Sequence, residues 1–133
     1  MENINLKVGL TASIETKVFI KNSAEEMGSG DLDVYATPAM ICLMERSASS
    51  AVSLHLPKGY TTVGTAVNIK HMAATPIGMK VKAVAELIAV EGRKLTFKVE
   101  AFDDKEKIGE GQHERYIVES AKFRDKVYGK LNS

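Results

Sequence analysis

The segment KHMAATPIGMKV, residues 70–81, places a histidine at what reads as the end of a strand, followed by small residues, a Thr-Pro pair and a glycine. An imidazole held at such a place can move protons near neutral pH. Two further residues invite the same question. Thr37 stands directly before Pro38 at the start of a long helical pattern. A hydroxyl there lies beside the positive end of a helix, where backbone N–H groups can hold a developing oxyanion. Helix capping is the plainer role, and one hydroxyl cannot easily cap and react at once. Glu45, flanked by Leu43 and Met44, falls four residues after Ile41 and three before Ala48, so it projects toward the apolar stripe of that helix. It reads either as an edge carboxylate reaching solvent or as one partly desolvated beside a pocket. A lone histidine is more often structural than catalytic, and Thr, Glu and His in this order do not identify an enzyme by spacing alone.

The elements that must position these groups follow from periodicity. Residues 10–20 alternate, with Ala12, Ile14, Thr16, Val18 and Ile20 on one side of a strand. NSAEEMGSGDLDV reads as a loop and a candidate lid. ATPAMICLMERSASSAVSLHL is the central helix, with Thr37 as N-cap, Pro38 at the first helical position, and Ile41, Met44, Ala48, Val52 and His55 as its stripe. Its many small residues allow close packing, and PKGY ends it. Beyond residue 60 the period becomes two. Val63, Thr65, Val67, Ile69 and His71 share one phase, and further strands are expected at 79–90, 94–102 and 107–118. Gly109 and Gly111 suit a bulge or a close approach. SAKFRDKVYGKL reads as a short terminal helix with Phe123, Val127 and Leu131 on one side. Short turns imply antiparallel neighbours, and one long helix must cover one sheet face. The expected class is α+β, an antiparallel sheet wrapped around one long helix: the hotdog arrangement.

Composition narrows the rest. With 133 residues, 44% hydrophobic and 26% charged, the chain (1–133) suits one globular domain. Enzymes this small often build sites at subunit interfaces, so a dimer is expected. The net charge of +1 gives no reason to expect nucleic acid or a membrane surface as partner. The N-terminal MENINLKVGL lacks the pattern of a signal peptide, and no apolar run is long enough to span a bilayer. Cys42 is the only cysteine, which rules out an internal disulfide and fits a reducing, cytoplasmic location. Zinc spacing, phosphate loop, dinucleotide glycine pattern and repeats are missing, so neither metal nor cofactor is expected. His55, at a helix end where a cation suits the dipole, and His113, in the polar GQHER strand, read as structural.

The stretches VYATPAMICLMERSA, TTVGTAVNIKHMAATPIGMKV, VEGRKLTFKVEAFD and IGEGQHERYIV together resemble the fluoroacetyl-CoA thioesterase-like family of the hotdog superfamily. The resemblance runs from Val8 to Val127. It implies a homodimeric acyl-CoA thioesterase with a catalytic Thr-Glu-His constellation: Thr37 from the AT before the helix, Glu45 from LME, and His71 before AATP. Coenzyme A would enter only as part of the substrate. The resemblance also places Gly64, of the GT strand, beside the acyl group, and Arg115, of HER, near the CoA part. Glu45 and His71 of one site would come from different copies. One segment departs from the family. Fluoroacetyl-specific members carry lid phenylalanines before the AT, whereas EEMGSGDLDVYAT has none, and Tyr35 matches only the last aromatic, as a substrate contact. A fluorine-selective gate is therefore not expected. Apart from the resemblance, a binding module for acyl-CoA or acyl-carrier protein is the competing reading, ahead of an acyltransferase or hydratase.

Overall fold

In the computed structural model, which describes residues 4–132, the period-two segments become a five-stranded antiparallel sheet. Strands β1 (Thr11–Lys17), β2 (Tyr60–His71), β3 (Lys80–Glu91), β4 (Lys94–Asp103) and β5 (Lys107–Glu119) lie in the order β1-β3-β4-β5-β2. Three helices accompany them: α1 (Ala24–Met27), α2 (Thr37–Ser53) and α3 (Ser120–Tyr128).

Helix α2 lies across one face of the sheet, packed chiefly on β3 and β1. The inner face of β3 supplies Val81, Ala83, Ala85 and Leu87, and that of β4 supplies Leu95, Phe97, Val99 and Ala101, all at period two and all buried. Burying each large side chain contributes roughly 1.5–3 kcal/mol. The helix answers with Met40, Leu43, Met44, Ala48 and Val52. Two small residues set the close approach. Ser47 donates to Leu43 O (2.9 Å) and Ala83 O (3.3 Å), so its buried hydroxyl is satisfied. Gly109 leaves room for Met40, whose Sδ would lie 2.6 Å from any Cβ there.

Several sequence expectations need correction. Ile41 is only half-buried and His55 is exposed two residues beyond the helix end, so the stripe is centred on Met40, Met44, Ala48 and Val52. The first strand spans Thr11–Lys17, shorter than the expected 10–20. The loop before α2 contains α1, which Ser23 caps by accepting from the Glu26 N–H and which ends at Gly28 in the left-handed region (φ 72°). In α3, Phe123 and Val127 are exposed, as is Leu131 just beyond it.

The strand ladders contain bulges. The β3–β4 register slips at Ile88, which explains why that stretch reads as apolar on both faces. The β2–β5 register slips at Thr65, where Gly64 pairs with Arg115 and Ala66 with Glu114. An extra residue of this kind reverses the phase of the side chains that follow it.

Candidate active site

Thr37 is the first helical residue, not the cap. Ala36 occupies the N-cap with extended backbone (φ −75°, ψ 140°) and offers no side-chain cap. The conflict between capping and reacting therefore does not arise. The Thr37 hydroxyl instead meets His71, with Oγ1 2.8 Å from Nδ1. Two residues 34 apart in sequence are joined because β2 ends where α2 begins. The His71 Nε2 is buried and makes no hydrogen bond of good geometry. Such a group is uncommon in a native structure and points to use rather than packing. Burial lowers the His71 pKa below its ordinary value, more than the Ala73 backbone raises it. The ring is thereby held neutral and ready to accept a proton.

The turn after His71 is tied down from both sides. Thr75, fully buried, donates to Asp103 Oδ2 (2.8 Å), and its carbonyl accepts from the Tyr35 N–H (2.9 Å). Val34 bridges to Pro76. Asp103 also accepts from the N–H groups of Lys105 and Glu106. Desolvation raises its pKa, but these hydrogen bonds together outweigh that and hold it low. AATP is thus clamped between the segment before α2 and the β4–β5 turn.

Glu45 lies about 12 Å further along α2, eight residues on at 1.5 Å each. It faces a second group of residues. Its Oε2 is 3.9 Å from Arg115 Nη1 and 4.0 Å from His113 Nε2. Gly64 closes the group, because a Cβ there would lie 2.8 Å from Glu45 Oε2 and 3.3 Å from His113 Cε1. Gly64 and His71 differ by an odd number of residues, so a regular strand would point them to opposite faces. The Thr65 bulge turns both toward α2. This corrects the shared phase expected from Val63 onward: Thr62 is buried and Val63 only half-buried before the bulge, while Ile69 and His71 turn inward after it.

Two hollows lie at these groups. One, of about 290 Å³, is lined by Thr37, His71, Tyr35, Ala24 and Met72 among others. The other, of about 340 Å³, is lined by Ile41, Glu45, Gly64, Val67 and His113 among others. Tyr35 walls the first hollow from inside. Its hydroxyl donates to Ala39 O (3.4 Å), and burial, helped by nearby Cys42, pushes its pKa up to about 12. It is thus a neutral wall and not an acid or base. Arg115 is buried beside Glu45, with guanidinium donors committed to Thr62 Oγ1 (2.8 Å) and Thr62 O (3.0 Å). That places it by the Glu45 carboxylate. His113 is buried in the same cluster, which sequence reasoning missed. The signal was present: His113, Arg115 and Ile117 share one phase of β5, and that phase is the inner face. Among the described residues no group of three His, Cys, Asp or Glu side chains could hold a metal ion.

A family model described as fluoroacetyl-CoA-specific thioesterase (FlK) matches residues 18–121. The fluoroacetyl-CoA thioesterase of Streptantibioticus cattleyicolor is 43% identical over 95 residues, covering 71% of this chain and 68% of that protein. The chain belongs to the fluoroacetyl-CoA-specific thioesterase family. As a member of it, the protein is a thioester hydrolase. The solved structure of the fluoroacetyl-CoA thioesterase FlK superposes with a TM-score of 0.89 at 34% identity, covering 95% of this chain and 98% of that one. A Thermus thermophilus thioesterase-superfamily protein gives 0.86 at 30% identity, with 99% and 96% covered. A hot-dog-like protein from Thermanaerovibrio acidaminovorans, at 21% identity and a TM-score of 0.84, shares the hotdog fold. No helix among the described residues is long and apolar enough to cross a membrane.

Proposed function

We propose that the protein hydrolyses small acyl-CoA thioesters at composite sites of a homodimer, each built from Thr37 and His71 of one copy and Glu45, Gly64 and Arg115 of the other. The observation that carries this is the split of the constellation within one chain: the Thr37–His71 pair at one end of α2, the Glu45 cluster well along it. Strand β2 is one of the two edges of the sheet, its central residues Gly64–Asn68 are exposed, and Val67 is 49% exposed. An antiparallel pairing of two such edges about residues 67–68 sets Gly64 of one copy beside His71 of the other, since those numbers lie symmetrically about that point.

The chemistry follows from the parts. Glu45 either deprotonates a water that adds to the thioester carbonyl, or adds to it directly and forms an acyl anhydride that a water then hydrolyses to the free acid and free Glu45. On either route the C–S bond breaks, and the CoA sulfur leaves with a proton relayed by His71. Thr37 holds the imidazole and the carbonyl in register. Thiolates leave readily, so the main demands are the nucleophile and stabilisation of the oxyanion, near which the first N–H groups of α2 lie. The absence of Cβ at Gly64 lets a short acyl group rest on the strand backbone. With no phenylalanine in the segment before α2, the acyl preference is for small groups without selection for fluorine.

Subunit complementation tests the arrangement. Glu45→Gln and His71→Ala are each inactive on acetyl-CoA, followed by CoA release with a thiol reagent. Refolded as a one-to-one mixture, they regain about a quarter of wild-type activity, because half the dimers then hold one intact site of two. No recovery refutes the shared site.

A further inference from the structure

We propose that His113 is a positioning residue: a neutral imidazole that holds the Arg115 guanidinium beside Glu45 as a loose ion pair without letting the two close into direct hydrogen bonds. The proposal rests on the reading of Glu45 given above and extends it to a buried residue outside the Thr-Glu-His set.

The hydrogen bonds fix the tautomer. His113 Nδ1 lies 2.8 Å from the carbonyl of Ala66, which can only accept, so Nδ1 carries the proton. Arg115 Nη1 lies 3.2 Å from His113 Nε2, and a guanidinium can only donate, so Nε2 carries the lone pair. Both statements hold at once only for the neutral ring. Burial, the largest cause, lowers the His113 pKa; the Ala66 hydrogen bond, second in size, opposes it, the Arg115 charge adds to the lowering, Glu45 and Glu114 raise it a little, and the net shift is downward. The ring is 1% exposed and lies 6.3 Å, centroid to centroid, from Phe97.

Arg115 is thereby held on three sides. Nε donates to Thr62 Oγ1, Nη2 to the Thr62 carbonyl, and Nη1 to His113. The Nε–Nη2 side of the guanidinium, one of the two faces that can grip a carboxylate with parallel hydrogen bonds, is taken by Thr62. Of the five N–H donors two remain, one on Nη2 and one on Nη1, and Nη1 is the atom 3.9 Å from Glu45 Oε2. The positive charge steadies the carboxylate, yet its oxygens keep lone pairs free for a carbonyl or a water. The clamp also reaches the strand: Ala66 directly follows the Thr65 bulge, so His113 joins the bulge, Arg115 and Glu45 into one unit around Gly64.

Two variants of the intact protein separate clamp from packing. His113→Asn keeps a donor near the Nδ1 position, for Ala66, but does not reach Arg115. His113→Gln reaches the Nε2 position and restores an acceptor for Arg115. With acetyl-CoA as substrate, the Asn variant should lose about tenfold or more in kcat with KM little changed, and the Gln variant should recover most of that loss. In wild-type protein at neutral pH, nitrogen-15 spectra should show Nδ1 protonated and Nε2 bare. Equal losses in both variants, wild-type kcat in both, or a proton on Nε2 overturns the proposal. Glu45→Gln is assayed beside them. If it retains full activity, the reading of Glu45 fails, while the ring spectrum still decides whether the clamp exists.

Discussion

Replacing Gly64 by alanine should separate activity from stability. The new methyl carbon would lie 2.8 Å from Glu45 Oε2, against ordinary contact beginning at 3.4 Å, and 3.3 and 3.4 Å from His113 Cε1 and Arg115 Nη1. Of these three, the Glu45 carboxylate is the mobile one. Its side chain is 40% exposed, and the histidine and arginine are held by hydrogen bonds. Glu45 must therefore retreat by about 0.6 Å. Since a misplacement of about 1 Å in a reacting group costs on the order of a hundredfold, this retreat predicts a loss of about fifteenfold in kcat. Stability should hardly change. Gly64 does not have a positive φ, so alanine fits the strand backbone, and the reduced freedom of the unfolded chain contributes about 0.4–1 kcal/mol in favour of folding. The assay is CoA release from acetyl-CoA beside a thermal melt. Wild-type kcat with an unchanged Tm would refute the claim that the Glu45 oxygen reacts. A collapsed Tm would refute the claim that the side chain absorbs the contact.

Three further outcomes follow from the geometry. Thr37→Ala should leave the unfolding free energy within about 0.5 kcal/mol of wild type, because Ala36 already holds the cap position, yet lower kcat by about tenfold or more through loss of the His71 bond; a large drop in Tm would restore capping as its role. Gly111→Ala should destabilise by about 3 kcal/mol or more, since its Cβ would meet the backbone carbonyl of Asn68 on the paired strand, and a melt near that of wild type contradicts this. Both His71 and His113 have folded pKa values below the unfolded value of about 6.5. Below that pH the unfolded chain binds protons that the native state resists, so urea midpoints should fall as pH drops from about 7.5 to about 5.5, and a flat profile would contradict the burial of two neutral rings.

Much of this was legible in the chain itself. Period-two runs placed all five strands to within three residues at either end, and Thr-Pro placed the start of α2. What escaped notice depended on tertiary partners. Thr37 looked like a cap because a hydroxyl before a proline usually is one, and only the arrival of His71 at the end of β2 shows where that hydroxyl goes. His113 looked polar because its neighbours Gln112 and Glu114 are polar, although their phase is the outer one. α1 was invisible because a single turn has no periodicity, and its tie to Val34 and Leu32 comes from backbone hydrogen bonds.

Thr65 has a consequence beyond the direction of two side chains. Its own side chain is exposed and only touches the Glu114 carbonyl, so many residues could stand there. What matters is that a residue is present at all. In an antiparallel strand, alternate residues turn both backbone groups to the same side, so one insertion also exchanges which set points outward from the sheet edge. Thr65 therefore works as a frame shift in the structural sense. Removing it would put the whole of β2 into a single reading frame, send either Gly64 or His71 to the wrong face, and move the outward ladder of the edge by one step. At this position the chain stores information as a residue count rather than as a residue type, and a one-residue deletion here should be more damaging than any substitution.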